Sequence, residues 1–260
     1  MNKDTLRQSA NVIALLATVV VNALANILPL NGKTTGEISD QFKVYFVPAG
    51  YVFIIWGVIY LALVAFAFYQ ARPAQKENPR LRRMGYFFVW SCLANLIWLF
   101  LWHYELFGLT VVAMLALLLS LVMVYLRLEV GRRQVSMAET LLLNVPFSIY
   151  LGWVSVATIA NVTSLLDYLK WGGWGLAAEV WFIIMMVAAV VIGAAMAITR
   201  NDVAYLLVFL WAFAGIAVKQ ADSAVVANTA WMAFVVIALL LVVGIVNRRR
   251  LRQQGLFAGV

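Results

Sequence analysis

Three short runs of the chain place flat aromatic rings at helical spacing, two of them with an amide on the same stripe. Phe53, Trp56 and Tyr60 stand at i, i+3 and i+7, Asn95, Trp98 and Trp102 repeat that interval, and Trp153, Ala157 and Asn161 follow at i, i+4 and i+8. Residues so spaced share one face of an α-helix. Ring faces stack on flat apolar molecules, and an amide orients a polar edge. A single stripe is also what helix packing or an interfacial aromatic belt produces. Three stripes with the same ingredients point to a shared pocket for a flat hydrophobic molecule.

Other chemistry lacks its parts. His103 is the only histidine and Cys92 the only cysteine, so neither a metal centre nor an internal disulfide can be assembled. His103, beside Tyr104 and Glu105, reads as an interfacial residue. There is no P-loop, dinucleotide fingerprint or nucleophile elbow. No catalytic residue, metal ligand or obligatory cofactor is expected.

The stripes need membrane helices to carry them. Apolar stretches run approximately from Ala10 to Leu30, Val44 to Gln70, Met84 to Trp102, Gly108 to Leu126, Thr140 to Val162, Ala177 to Ile198, Val203 to Val218 and Ala227 to Val246. Each comes near the ~20 residues that cross ~30 Å of hydrocarbon, the seventh being the shortest. With 65% hydrophobic and 12% charged residues, too little polar surface remains to clothe a water-soluble globule. The runs are continuous rather than alternating, which predicts helices and not a barrel. The expected fold class is an all-α integral membrane protein with eight spans.

Charge orients those spans. Of the 19 Lys and Arg residues, Lys3, Arg7, Arg72, Lys76, Arg80, Arg82, Arg83, Arg127, Arg132, Arg133, Arg200, Arg248, Arg249, Arg250 and Arg252 fall in alternate gaps. The other gaps hold only Lys33, Lys43, Lys170 and Lys219, among more acids than bases. The positive-inside rule then puts both termini in the cytoplasm. A net charge of +8 would suggest nucleic acid in a soluble protein. Here it sits beside helix ends on one face, where the anionic inner leaflet is the simpler partner and no nucleic acid is expected. Lys3 and Arg7 ahead of an apolar run, with Ala23-Leu24-Ala25 behind it, mimic a signal peptide, but the run exceeds a signal core and predicts a retained helix.

Depth brings the stripes together. Counted from the outer helix ends, Asn95, Trp153 and Trp56 lie about 8 to 12 residues in, or roughly 12 to 18 Å, and Trp98 and Asn161 lie shallower. One cavity is predicted, open toward the outer leaflet beneath the loop from Asn31 to Lys43. Asn22, Asn26 and Asn144 also need partners inside the membrane, from another helix or from a ligand. Most spans carry no charge near mid-depth, which argues against a proton pump. Glu179, Lys219 and Asp222 lie at outer helix ends and read as anchors. Gly193-x-x-x-Ala197 suits close helix packing in the sixth span.

At these residues the chain resembles the TspO/MBR family, the tryptophan-rich sensory proteins related to the translocator protein or peripheral benzodiazepine receptor. PAGYVFIIWGVIY, Pro48 to Tyr60, is similar to the family's second-helix opening, with Trp eight residues after Pro and Tyr four later. Asn95-x-x-Trp98 matches its third helix, and Trp153, Ala157 and Asn161 in WVSVATIAN match its ligand-contacting stripe. Three positions depart: Val47 replaces the first of two prolines, Ser91 stands where glutamine is expected, and Pro146 lies about one turn farther from Trp153. The resemblance implies a five-helix bundle over residues 1–166, with 167–260 as a three-helix extension that packs on it, forms a homodimer or alters access to the pocket.

It also implies a bacterial plasma-membrane protein with a sensory, regulatory or transport role. Its ligand would be a tetrapyrrole or sterol-like molecule, a porphyrin or haem-type compound included. That ligand would be held by Pro48, Phe53, Trp56, Tyr60, Asn95, Trp98, Trp153, Ala157 and Asn161. Two other readings stand beside this one: a membrane enzyme acting on porphyrin-like ligands, and a structural membrane partner without a small-molecule ligand.

Overall fold

A backbone surrounded by hydrocarbon must satisfy its own hydrogen bonds, so continuous apolar runs become helices. The computed structural model describes residues 2–253, without the side chains of Arg248, Arg249 and residues 251–253, so most of the tail arginines' side chains lie outside the described residues. Its long helices are α1 (Lys3–Ile27), α2 (Ile55–Ala71), α3 (Phe87–His103), α4 (Phe107–Arg127), α5 (Val145–Tyr168), α6 (Ala178–Arg200), α7 (Val203–Lys219) and α8 (Ala224–Gln253). No strand occurs among the described residues. Six helical segments are long and apolar enough to cross a membrane, and α3 and α7 are shorter apolar helices of 17 residues.

Several boundaries differ from the apolar runs, and proline is involved at two of them. The second run begins at Val44, yet its helix starts at Ile55 after a 3-10 turn, Gly50–Ile54. Pro48 biases Val47 toward extended backbone, and the Ala49 N–H donates to Gly215 O at 3.1 Å instead of to a helical partner. The fifth run opens with a π turn, Thr140–Asn144, just before Pro146, which has no N–H for the carbonyl one turn back. It continues to Tyr168, past the expected end at Val162.

α5 is the centre of the assembly. Within its apolar stretch 72% of the residues are buried, against 22–39% in the other long spans. It packs on α2, α4 and α7, while α1 covers α2 and α3, and α8 lies against α6 and α7. Outward faces carry exposed Ile13, Leu16 and Val20 on α1, Val112 and Leu119 on α4, and Leu239 and Val242 on α8. So much exposed apolar surface suits lipid and not water.

A short connection with a 3-10 turn, Gly173–Gly175, joins α5 to α6, and residue 166 falls in the final turn of α5. Gly152 brings α5 against α7: a Cβ there would sit 3.2 Å from Tyr205 O. Gly193 and buried Ala197 make the close contact expected of their spacing, Gly193 facing Ile237 of α8.

Arginines of the basic face divide into two kinds. Arg82 and Arg83 are part exposed and reach acids, Arg82 meeting Asp4 at 2.6 Å. Arg83 gives both ends of its fork to Glu129 (2.9 and 2.7 Å), which holds that loop carboxyl below its usual pKa. Arg7, Arg80 and Arg200 are instead buried. Arg80 donates to Leu128 O and to Asn144 Oδ1 (2.6 Å) and lies 3.4 Å from Glu139 Oε1. It therefore ties the loop before α3 to the end of α4 and the start of α5. Arg80→Met should lower stability by about 2–3 kcal/mol, because a buried carbonyl, an amide and a carboxylate lose their donor together. A thermal melt in nanodiscs that matches wild type would show the loops are held otherwise.

Candidate functional site

The aromatic stripes converge. Pro48 and Phe53 from the turn before α2, Trp56 from α2, Trp98 from α3, and Trp153, Ala157 and Asn161 from α5 border one cavity of about 50 Å³. Its rings pack edge to face and in stacks: Phe53 and Trp56 meet Trp153 at 5.8 and 6.2 Å with planes near perpendicular, and Trp98 stacks on Trp102 at 5.4 Å. Such contacts add about 0.5–1.5 kcal/mol each beyond area burial. Trp153 is 3% exposed, and its Nε1 makes no hydrogen bond to the described residues.

Asn161 is not a free amide. Its Oδ1 accepts from Trp98 Nε1 at 3.1 Å and its Nδ2 donates to Thr110 Oγ1 at 2.9 Å. It therefore fixes the plane of the Trp98 ring and ties α5 to α3 and α4. Two expected residues do not reach the cavity. Tyr60, one turn beyond Trp56, stacks beneath that indole at 5.6 Å. Asn95, one turn deeper than Trp98, accepts from Asn22 Nδ2 (2.9 Å) and donates to Tyr150 OH (3.2 Å), joining α1, α3 and α5. Its stripe gave the correct face, but that face turns toward α1 at this depth.

A lid closes the end of the cavity away from the basic face. The short helix Thr35–Ser39 contributes Thr35 and Ser39 to the cavity wall. A capping box starts that helix: Thr34 Oγ1 accepts from the Glu37 N–H while Glu37 accepts from the Thr34 N–H, which holds the Glu37 carboxyl below its usual value. Trp102 Nε1 donates to Thr35 O (3.2 Å), and His103, the last residue of α3 and fully buried under the lid, has Nε2 3.5 Å from Thr35 Oγ1. Phe42 packs edge-on to Phe107 at 4.9 Å.

The lid's other edge is held from the later helices. Lys219 pairs with Asp40 at 2.7 Å, Gln220 Nε2 donates to Tyr45 O at 3.2 Å, and Tyr45 OH donates to Glu179 at 2.9 Å. The expected outer anchors Lys219 and Glu179 thus fasten the loop over the cavity. Exposed pairs of this kind contribute little each, typically under about 1 kcal/mol.

Residues 8–243 match the family model described as TSPO-like protein. The chain belongs to that family. No curated protein and no solved structure matches it. The match runs through α6 and α7 and into α8, past residue 166, where the sequence resemblance to five-helix members ends. It agrees with the packing, since α7 carries Gly215 and Trp211 against the backbone that presents Pro48 and Phe53: Trp211 Nε1 donates to Val52 O at 3.0 Å.

Two further recesses were not foreseen. On the same side as the lid, Trp171, Tyr45, Trp181 and Asp167 line a recess of about 340 Å³, with Trp174 packed against Trp171 and Trp181. The pair Trp171 and Trp174 around two glycines was the only hint, and it reads equally as an interfacial turn. The other recess lies between α2, α5 and α7, and its polar residues, Arg200, Asn201 and Asp202, look in sequence like a plain interhelical gap. Among the described residues no group of His, Cys, Asp and Glu has a metal-binding arrangement.

Proposed function

We propose that this TSPO-like membrane protein is a receptor or carrier for a flat hydrophobic molecule of the tetrapyrrole or sterol-like class, bound between α2, α3 and α5 beneath the outer lid. The supporting observation is the ring-walled cavity, bordered by Trp153, whose buried Nε1 makes no hydrogen bond within the protein. Its wall residues are aromatic, apolar, amide and hydroxyl, which favours holding a ligand over turning it over. At about 50 Å³ the cavity is near the volume of one or two waters. A drug-sized ligand needs several hundred Å³. Binding therefore requires the lid to swing out and the Trp98 and Trp102 stack to part from Trp153.

Titration of a porphyrin into the folded chain in nanodiscs tests this. Saturable quenching of tryptophan fluorescence is expected, with one ligand per chain. Quenching that rises linearly with lipid partitioning sinks the reading. The proposed orientation, lid outside and both termini cytoplasmic, rests on the distribution of Lys and Arg. Reporter fusions at Glu105 and Gly172 should score outside, and fusions at Gln75, Gln134 and the C-terminus inside. An outside C-terminus would reverse it.

A further inference from the structure

A groove of about 580 Å³ runs between α2, α5 and α7, apart from the aromatic cavity. Its walls are apolar: Ile54, Val58, Ile149, Leu207 and Trp211. Ile54, Val58 and Leu207 are half or more exposed, so the groove opens sideways to the bilayer. Its polar end, at the basic face, is formed by Arg200, Asn201 and Asp202 with Asn144, Thr140 and Ser148 beside them. From Val203 to Trp211 the helix rises roughly 12 Å, which carries the groove from that face toward mid-membrane.

At the polar end one buried atom, Asn201 Oδ1, has no hydrogen-bond partner, and the Arg200 guanidinium beside it touches no carboxylate. Arg200 is 9% exposed, donates through Nη1 to Val130 O at 3.3 Å and lies over the Tyr125 ring at 5.7 Å. No described carboxylate pairs with it within 4.0 Å. Asp202 is already engaged: Oδ2 accepts from Tyr125 OH (2.7 Å) and Ser148 Oγ (2.6 Å), and Oδ1 accepts from the Tyr205 N–H (3.2 Å). Nearby Glu129 and Glu139 pair with Arg83 and Arg80.

Asn201, also 9% exposed, ends α6 in left-handed backbone (φ 47°), and its Oδ1 meets no donor. The corner is rigid. Gly131, at φ +75°, packs so tightly on the Arg200 carbonyl that any Cβ would overlap it. Asp202 acts on Arg200 only from beyond contact distance, and an anion entering along the groove would supply a direct, charge-assisted contact.

We propose that this groove binds an anionic lipid from the leaflet on the basic face. Arg200 holds the phosphate, Asn201 Oδ1 accepts from a headgroup hydroxyl, and one acyl chain lies along Ile54, Val58, Ile149 and Leu207 toward Trp211. Moving a chain from bilayer to groove gains little, because lipid tails are as apolar as these side chains. Selectivity must therefore come from the headgroup, and charge-assisted hydrogen bonds are the strong ones.

The test is native mass spectrometry of the full chain titrated with phosphatidylglycerol and with phosphatidylcholine of the same acyl chains. Wild type should retain one phosphatidylglycerol with about a tenfold preference. Arg200→Gln should erase that preference, Arg200→Lys should keep most of it, and Leu207→Trp, filling the groove from an exposed position, should cut retention of both lipids. Arg83→Gln, in the surface pair with Glu129, should change nothing. Equal retention of the two lipids by wild type, or an intact preference in Arg200→Gln, overturns the proposal. Displacement by an equal concentration of inorganic phosphate overturns it in favour of a free-anion site. If Arg200→Gln does not fold, unchanged retention in Leu207→Trp is equally decisive against it.

Discussion

Trp153→Ala should weaken porphyrin binding by roughly thirtyfold or more, about 2 kcal/mol, while Trp171→Ala leaves it within about twofold. The two tryptophans belong to different recesses. Trp153 is the ring that Phe53 and Trp56 both pack against, and it lies on central α5. Trp171 lines the lid-side recess with Trp181. A flat molecule could stack in either, so the contrast between the variants decides the site. Loss of binding in Trp171→Ala alone would move the ligand to the lid-side recess and leave the inner stripe as packing.

Truncating a buried tryptophan also destabilises the bundle, by about 3–5 kcal/mol in a well-packed core. Trp153→Phe separates the two effects. It keeps most of the ring packing and removes an N–H that makes no internal hydrogen bond. Stability should change little, and binding should fall several-fold if that N–H meets an acceptor on the ligand. Asn161→Leu offers a complementary reading. Because the amide is held by Trp98 and Thr110, its loss should act by releasing the Trp98 ring, affecting all flat ligands alike.

Periodicity made the membrane helices and the face of each stripe legible, since both depend on local spacing. Partners across the bundle were not legible. Asn95 shares a stripe with Trp98, yet its amide is taken up by Asn22 of α1 and Tyr150 of α5. Arginines in the gaps mark topology by position alone, and nothing local separates exposed Arg82 from buried Arg80. That difference arises because Arg80 reaches a carbonyl at Leu128, 48 residues away. The role of the last three helices was hidden for the same reason. Lys219, Gln220 and Gly215 act on a loop more than 160 residues earlier, and Gly215 is in sequence one glycine among 16.

That glycine gives the second large effect. Gly215 lets α7 lie against the turn before α2: an added Cβ would overlap a γ-carbon of Val52 and sit 3.2 Å from Pro48 Cβ. Val52 is fully buried, so it has little room to yield. Gly215→Ala should therefore cost about 1–3 kcal/mol by overpacking. It should also weaken porphyrin binding several-fold, because the displaced turn carries Pro48 and Phe53. Val52→Ala alone leaves a void and should cost about 1–2 kcal/mol.

Together the two changes remove two methyl groups from one side of the contact and add one on the other, so the clash is relieved and the void partly filled; the double variant should be more stable than the sum of the single costs and should regain most of the binding. Gly57→Ala, whose Cβ meets open space on α2, is the control and should be neutral or slightly stabilising. Thermal melts and porphyrin titrations of the four variants in nanodiscs supply both readouts. Strictly additive stability costs would mean α7 does not press on the turn. Rescued stability without rescued binding would mean that the turn's position does not control the site.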